Sequence, residues 1–176
     1  KWDPDEWAAL FKECGSKYVV QVSDYHDGFP MFDCSYSGRW TAVHSGPERD
    51  VVGEMAAATR KVGLKFGASS HRAANWWFYL HDDEFDTTDP ANVELYGPVH
   101  GPEDDENPTV EYKENWRLRT RELVEKYSPD IMWFDMGWEY PRWDKERWEF
   151  VSWYYNWAAK NGKEVVLQSK GAIPRS

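Results

Sequence analysis

Four times along this chain a helix-like stretch gives way to a short apolar run, and that alternation limits the possible folds more than any other feature. The first unit opens on Asp3-Pro4-Asp5-Glu6, with Asp3 placed as N-cap, Pro4 at the first helical position and Glu6 as the capping-box acid. Trp7, Leu10, Phe11 and Cys14 follow at helical spacing, and Gly15 ends the helix. Lys17 to Ser23 then carries Tyr18, Val19, Val20 and Val22, a pattern expected of a strand buried on both faces of a parallel sheet. The same reading predicts helices over about 50–62, 111–127 and 144–161, each ended by Gly or Ser-Pro. The runs 64–68, 131–134 and 165–168 read as the strands that follow them.

Strict βα alternation implies an α/β fold with a parallel sheet. A (β/α)8 barrel takes about 250 residues, so four strands in 176 residues would be half of one. A doubly wound sheet can close at this size, and spacing alone leaves both open. The acidic, Pro- and Gly-containing stretch 82–108 reads as one long loop of the kind that is usually functional or mobile.

Charge narrows the partners. With 31 acidic and 21 basic residues the net charge is −10, which argues against nucleic acid or an anionic membrane surface, since both need clustered Lys and Arg. No apolar run approaches the roughly 18 residues of a membrane-spanning helix. Cys14 and Cys34 form neither a metal pattern nor a disulfide framework. Aromatic residues reach 17%, with twelve Trp. Singly each is best read as core, but in bulk they suit a protein that stacks pyranose rings on indoles. Nothing speaks to oligomeric state. The chain begins at Lys1, as an internal piece of a longer protein would.

In parallel β/α folds the chemistry sits at the C-terminal ends of the strands. The residues there are Asp24 to Phe29, Ser69 to Arg72 with Asn75-Trp76-Trp77, Asp135 to Trp138, and Ser169-Lys170. Asp135 is the sharpest of them, expected at the last position of the apolar run Ile131 to Phe134-Asp135. A buried ionised carboxylate is costly unless paired or employed. It can serve as nucleophile, general base or metal ligand, or simply cap the next turn. His26 can donate to and accept from a sugar hydroxyl at once, and equally can be a backbone-bonded residue of the Asp27-Gly28 turn. His26, His71 and Asp135 together would be a reasonable divalent-metal set, although no closely spaced His pair supports it. His44, His81 and His100 are expected in loops as solvated residues, and Asp82 to Glu84 and Glu103 to Glu106 as solvated loop charge. No phosphate loop, nucleophile elbow or Cys/His pair is present.

Several blocks together resemble the α-L-fucosidases of glycoside hydrolase family 29: Lys17 to Val20, His26-Asp27-Gly28-Phe29, Gly46 to Glu54, Gly63 to Gly67, Ser70 to Ala73, and Pro129 to Asp135. The likeness runs from Trp2 to about Pro174. It implies a (β/α)8 TIM-barrel-like catalytic domain of which 1–176 carries about strands 2 to 5, truncated at both ends. It implies retaining hydrolysis of terminal α-L-fucose, with Asp135 as nucleophile and the acid/base carboxylate outside this stretch. It places His26, Tyr25, Trp133, His71 and Lys170 at the sugar, with Trp133 on the same side of its strand as Asp135. A fucosylated oligosaccharide or glycoconjugate is the implied partner, with no metal or organic cofactor, and the resemblance leans toward an exported setting. Two positions depart from the family pattern: Tyr25 stands where the family usually has the first of two His, and Lys170 about where it often has Arg. These departures keep open a sugar-binding homologue without turnover, and the set His26, His71 and Asp135 keeps open a metal-dependent barrel hydrolase.

Overall fold

The computed structural model describes residues 1–171. Local sequence chemistry sets the elements. Asp3 accepts the Glu6 N–H at 3.1 Å and starts α1 (Pro4–Glu13), and Asp50 accepts the Gly53 N–H at 2.9 Å and starts α2 (Val51–Lys61). Strand β1 (Tyr18–Asp24) lies between them and β2 (Lys65–Ser70) follows. Helix α5 (Val110–Tyr127) ends on a left-handed Ser128 just before Pro129, and β3 (Ile131–Phe134), α6 (Asp144–Lys160) and β4 (Val166–Ser169) complete the chain. Two helices were not expected from the sequence, α3 (Arg72–Phe78) and the single turn α4 (Val93–Tyr96). The stretch read as one loop also holds 3-10 turns at Asp86–Thr88, Pro90–Asn92 and Pro102–Asp104.

The four strands are all parallel and lie in the order β1-β2-β3-β4. A doubly wound sheet reverses its order at a switch point and carries helices on both faces. Here the order never reverses, and the core gathers on one face. Val19, Phe66, Ala68, Met132 and Phe134 pack there with Val52 and Met55 of α2, Trp116 and Leu123 of α5, and Phe150 and Tyr154 of α6.

Alternate residues turn to the opposite face, which among the described residues has no second layer. Tyr18 is 55% exposed, Val22 38% and Val166 56%. The expectation that β1 is buried on both faces therefore does not hold. Its apolar residues on the open side are the kind that fill the inside of a closed barrel. The sheet is tight on that side: a Cβ at Gly67 would lie 2.9 Å from Val20 Cγ2 and 3.1 Å from Ile131 Cβ.

Candidate active site

The strand ends fall slightly differently from the expectation. β1 and β2 run on through Asp24 and Ser70, while β3 stops at Phe134, so Asp135 is the first residue beyond it. Its amide N–H still bonds the Ser70 carbonyl, which fixes it at the sheet's C-terminal rim. Asp135 is 7% exposed. Lys170 Nζ, carried one strand over at the end of β4, lies 3.1 Å from Asp135 Oδ1. His71 Nδ1 and His26 Nε2 face Oδ2 at 3.2 and 3.7 Å. The parallel pairing of Ser70 with Phe134 and of Phe134 with Ser169 brings these residues, far apart in the chain, onto one rim.

Each imidazole is held from behind. The His71 N–H donates to Asp24 Oδ1 at 2.9 Å, and His71 Nε2 lies 3.0 Å from Ser69 Oγ. The Asn75 side-chain amide donates to the His26 carbonyl at 2.6 Å. The Phe78 ring lies flat against His26, centroids 4.0 Å apart and planes 8° from parallel. Half-exposed Tyr25 leans over both at a tilt, its ring centroid 4.3 Å from His26 and 4.8 Å from His71. Trp133 lies between Ser69 and Gln168 on the open face of the sheet, half-buried, on the same side as Asp135. Five of the six expected site residues thus surround one point, and the sixth, Trp133, lies on the open face of the same sheet.

Burial alone would raise the Asp135 carboxyl. The Lys170 hydrogen bond and charge and the Met136 N–H outweigh it and hold the carboxyl below its ordinary range. His26 and His71 are both pushed down, first by burial, against the opposing pull of Asp135. At neutral pH the site is therefore an anion beside one ammonium and two neutral imidazoles. His26 is 3% exposed, and neither ring nitrogen has a hydrogen-bond partner among the described residues. Such buried orphans are rare and point to a ligand. The three ligand atoms of His26, His71 and Asp135 are close enough to share a cation, within 4.8 Å of one another. The Lys170 ammonium already occupies the other Asp135 oxygen and would repel a divalent ion.

The depressed histidines have a consequence for stability. Below about pH 6.5 the unfolded chain binds protons that folded His26 and His71 resist, so unfolding takes up protons and stability falls with falling pH. The loss begins near pH 6.5 and continues until the folded imidazoles themselves protonate. Melting temperatures between pH 7.5 and 5 are expected to fall, and the slope is expected to be shallower in His26→Gln.

A sequence profile described as Alpha-L-fucosidase matches residues 1–174. This chain belongs to the alpha-L-fucosidase family. It is 31% identical over 159 residues to the tissue alpha-L-fucosidase of Bos taurus and 32% identical over 165 residues to the alpha-L-fucosidase of Branchiostoma floridae. Each match covers 88% of this chain, but 29% and 31% of the respective fucosidase. The chain thus spans about a third of the length of the curated relatives it matches. Among solved fucosidases, the Thermotoga maritima enzyme in complex with a mechanism based inhibitor matches 99% of this chain and 37% of its own, at 32% identity and TM-score 0.72. The same enzyme in complex with fucose matches 94% and 35%, at 34% identity and TM-score 0.69. The sequential parallel sheet and its fucosidase neighbours agree on the barrel type of α/β fold.

Sequence reasoning missed Phe78, which carries no polar signal, and the anchoring roles of Asp24 and Asn75. Two other expectations need correction. His81 and His100 are not solvated: their side chains are 1% and 5% exposed. The His100 ring stacks on Trp76 at 3.7 Å, and Asp105, expected as solvated charge, faces both imidazoles. Trp76 supplies an apolar wall that local polarity does not reveal. His44, by contrast, is exposed as expected, with Nδ1 3.0 Å from Thr41 Oγ1.

Proposed function

We propose that the intact protein is a retaining exo-α-L-fucosidase acting on fucosylated oligosaccharides or glycoconjugates, and that residues 1–176 form about strands 2 to 5 of its barrel. The observation that carries this reading is a buried, ionised Asp135 beside a buried His26 whose ring nitrogens have no protein partner. In this reading His26 and His71 bind fucose hydroxyls as neutral imidazoles, each able to donate and accept. Tyr25 closes over them, and Trp133 lines the sugar pocket. The Asp135 carboxylate attacks the anomeric carbon, the glycosidic bond breaks, and a covalent fucosyl ester forms. A second carboxylic acid, contributed by another part of the protein, protonates the departing oxygen and then deprotonates the water that releases fucose. Lys170 keeps Asp135 ionised and thereby nucleophilic, a role more specific than sugar contact and consistent with its 3.1 Å pairing.

Two measurements test this. Proton NMR during turnover of an aryl α-L-fucoside is expected to show α-fucose as the first product. The β anomer would exclude a double displacement, and fucose binding without turnover would favour a sugar-binding homologue. In Lys170→Met, loss of the ammonium raises the Asp135 carboxyl, so the acidic limb of the kcat/KM profile is expected to move to higher pH. An unmoved limb would remove Lys170 from this role.

A further inference from the structure

A second buried cluster lies away from the Asp135 rim. His81 follows α3, and His100 and Asp105 come from the segment between α4 and α5. His81 Nδ1 and His100 Nε2 lie 3.6 and 3.7 Å from the same oxygen, Asp105 Oδ1. Those separations are too long for hydrogen bonds. They are close to the roughly 3.4 Å edge between ligands of a tetrahedral ion with bonds of about 2.1 Å.

Two further observations point to a ligand. The His81 side chain is 1% exposed, and neither of its ring nitrogens, nor Asp105 Oδ1, has a hydrogen-bond partner among the described residues. His100 Nδ1 lies 2.9 Å from the Pro98 carbonyl. A proton there fixes the tautomer and leaves the Nε2 lone pair facing the Trp76 carbonyl at 3.0 Å and Asp105 Oδ1. A lone pair set against two oxygens is repulsive unless a cation lies among them. The outer N–H bonded to a backbone carbonyl is how metal-ligating imidazoles are commonly oriented. A doubly protonated His100 would satisfy both carbonyls but would still leave His81 with no partner. Arg142, which feels the Asp105 charge, is paired with Glu106.

We infer that His81, His100 and Asp105 bind a divalent first-row metal ion, with zinc the best fit to two imidazoles and a carboxylate. The ion clips the segment between α3 and α5 to Trp76. It thereby braces α3, whose Asn75 and Phe78 hold His26. The role is structural and separate from any step at Asp135.

Cobalt(II) titration of the chelator-stripped intact protein tests this by visible d–d absorption. One equivalent is expected to saturate the bands. Asp135→Asn is expected to leave them unchanged, whereas His81→Gln and half-exposed Asp105→Asn weaken binding about tenfold or more. Zinc is also expected to slow proteolysis within 82–108 in the native protein but not in Asp105→Asn. No bands at one equivalent, or bands that persist in both cluster variants, would overturn the inference. So would bands lost only in Asp135→Asn, which would place the ion at His26, His71 and Asp135.

Discussion

Asp135→Gly is expected to lower turnover of an aryl α-L-fucoside by the intact protein roughly 10³-fold or more, since removing one member of a covalent-catalysis unit disables the unit. Azide is expected to restore part of the rate. The missing carboxylate leaves a cavity on the face of the sugar it would have attacked, and azide can enter there and displace the aryl alcohol in one inverting step. The product would be β-fucosyl azide, identifiable by NMR. Turnover unaffected by the substitution would remove Asp135 from the chemistry. Turnover lost without azide rescue would show that Asp135 does something other than attack the anomeric carbon. The side chain's setting supports the first outcome: 7% exposure, one ammonium and two neutral imidazoles around an ionised carboxylate.

Arg72→Met is expected to have the largest effect on stability, about 2–4 kcal/mol, because it leaves several buried acceptors short of a donor at once. Fully buried Arg72 donates to Asn75 Oδ1 at 2.7 Å, to the Leu95 carbonyl, and to Asn115 Oδ1 at 3.2 Å. Its guanidinium also lies 4.6 Å over the Tyr112 ring. Burial lowers its pKa to about 10, so some relief from desolvation offsets the lost bonds. Asn75 in turn fixes the His26 carbonyl, so kcat/KM is expected to fall as well. Arg117→Met, which removes only a surface pair with Glu114, is expected to stay within about 0.5 kcal/mol. Urea unfolding of the two variants in the intact protein separates these outcomes. Equal midpoints would mean that the Arg72 network contributes nothing.

What could be read without coordinates follows from how local the signal is. Asp3 and Asp50 cap their helices through neighbouring amides, and Ile131 to Phe134 ends at a carboxylate within one short stretch. Those features need no distant partner. Helix α3 was invisible because His71 makes no side-chain cap and Arg72 to Trp76 are all buried, so no amphipathic period marks it. The pairing of Lys170 with Asp135 required knowing that β4 lies beside β3, although both residues stood out singly. The burial of His81 and His100 depended on the face of Trp76, contributed from α3, and a stretch rich in Asp, Glu and Pro gave no hint of it. The open face of β1 misled for the opposite reason: an apolar run records the surroundings for which a strand is suited, not those the described residues supply.

Helix α3 stands apart from the βα alternation, and its position has an evolutionary consequence. The Asp135 carboxylate and the Lys170 ammonium come from the ends of β3 and β4, whose spacing is dictated by the backbone ladder. The clamp on His26 comes from α3 alone, through Asn75 and Phe78. The charge at Asp135 and the hold on His26 are therefore inherited through different parts of the chain. On the proposed function, exchanges within α3 would shift His26 while the strand pair that sets the carboxylate's charge stays untouched.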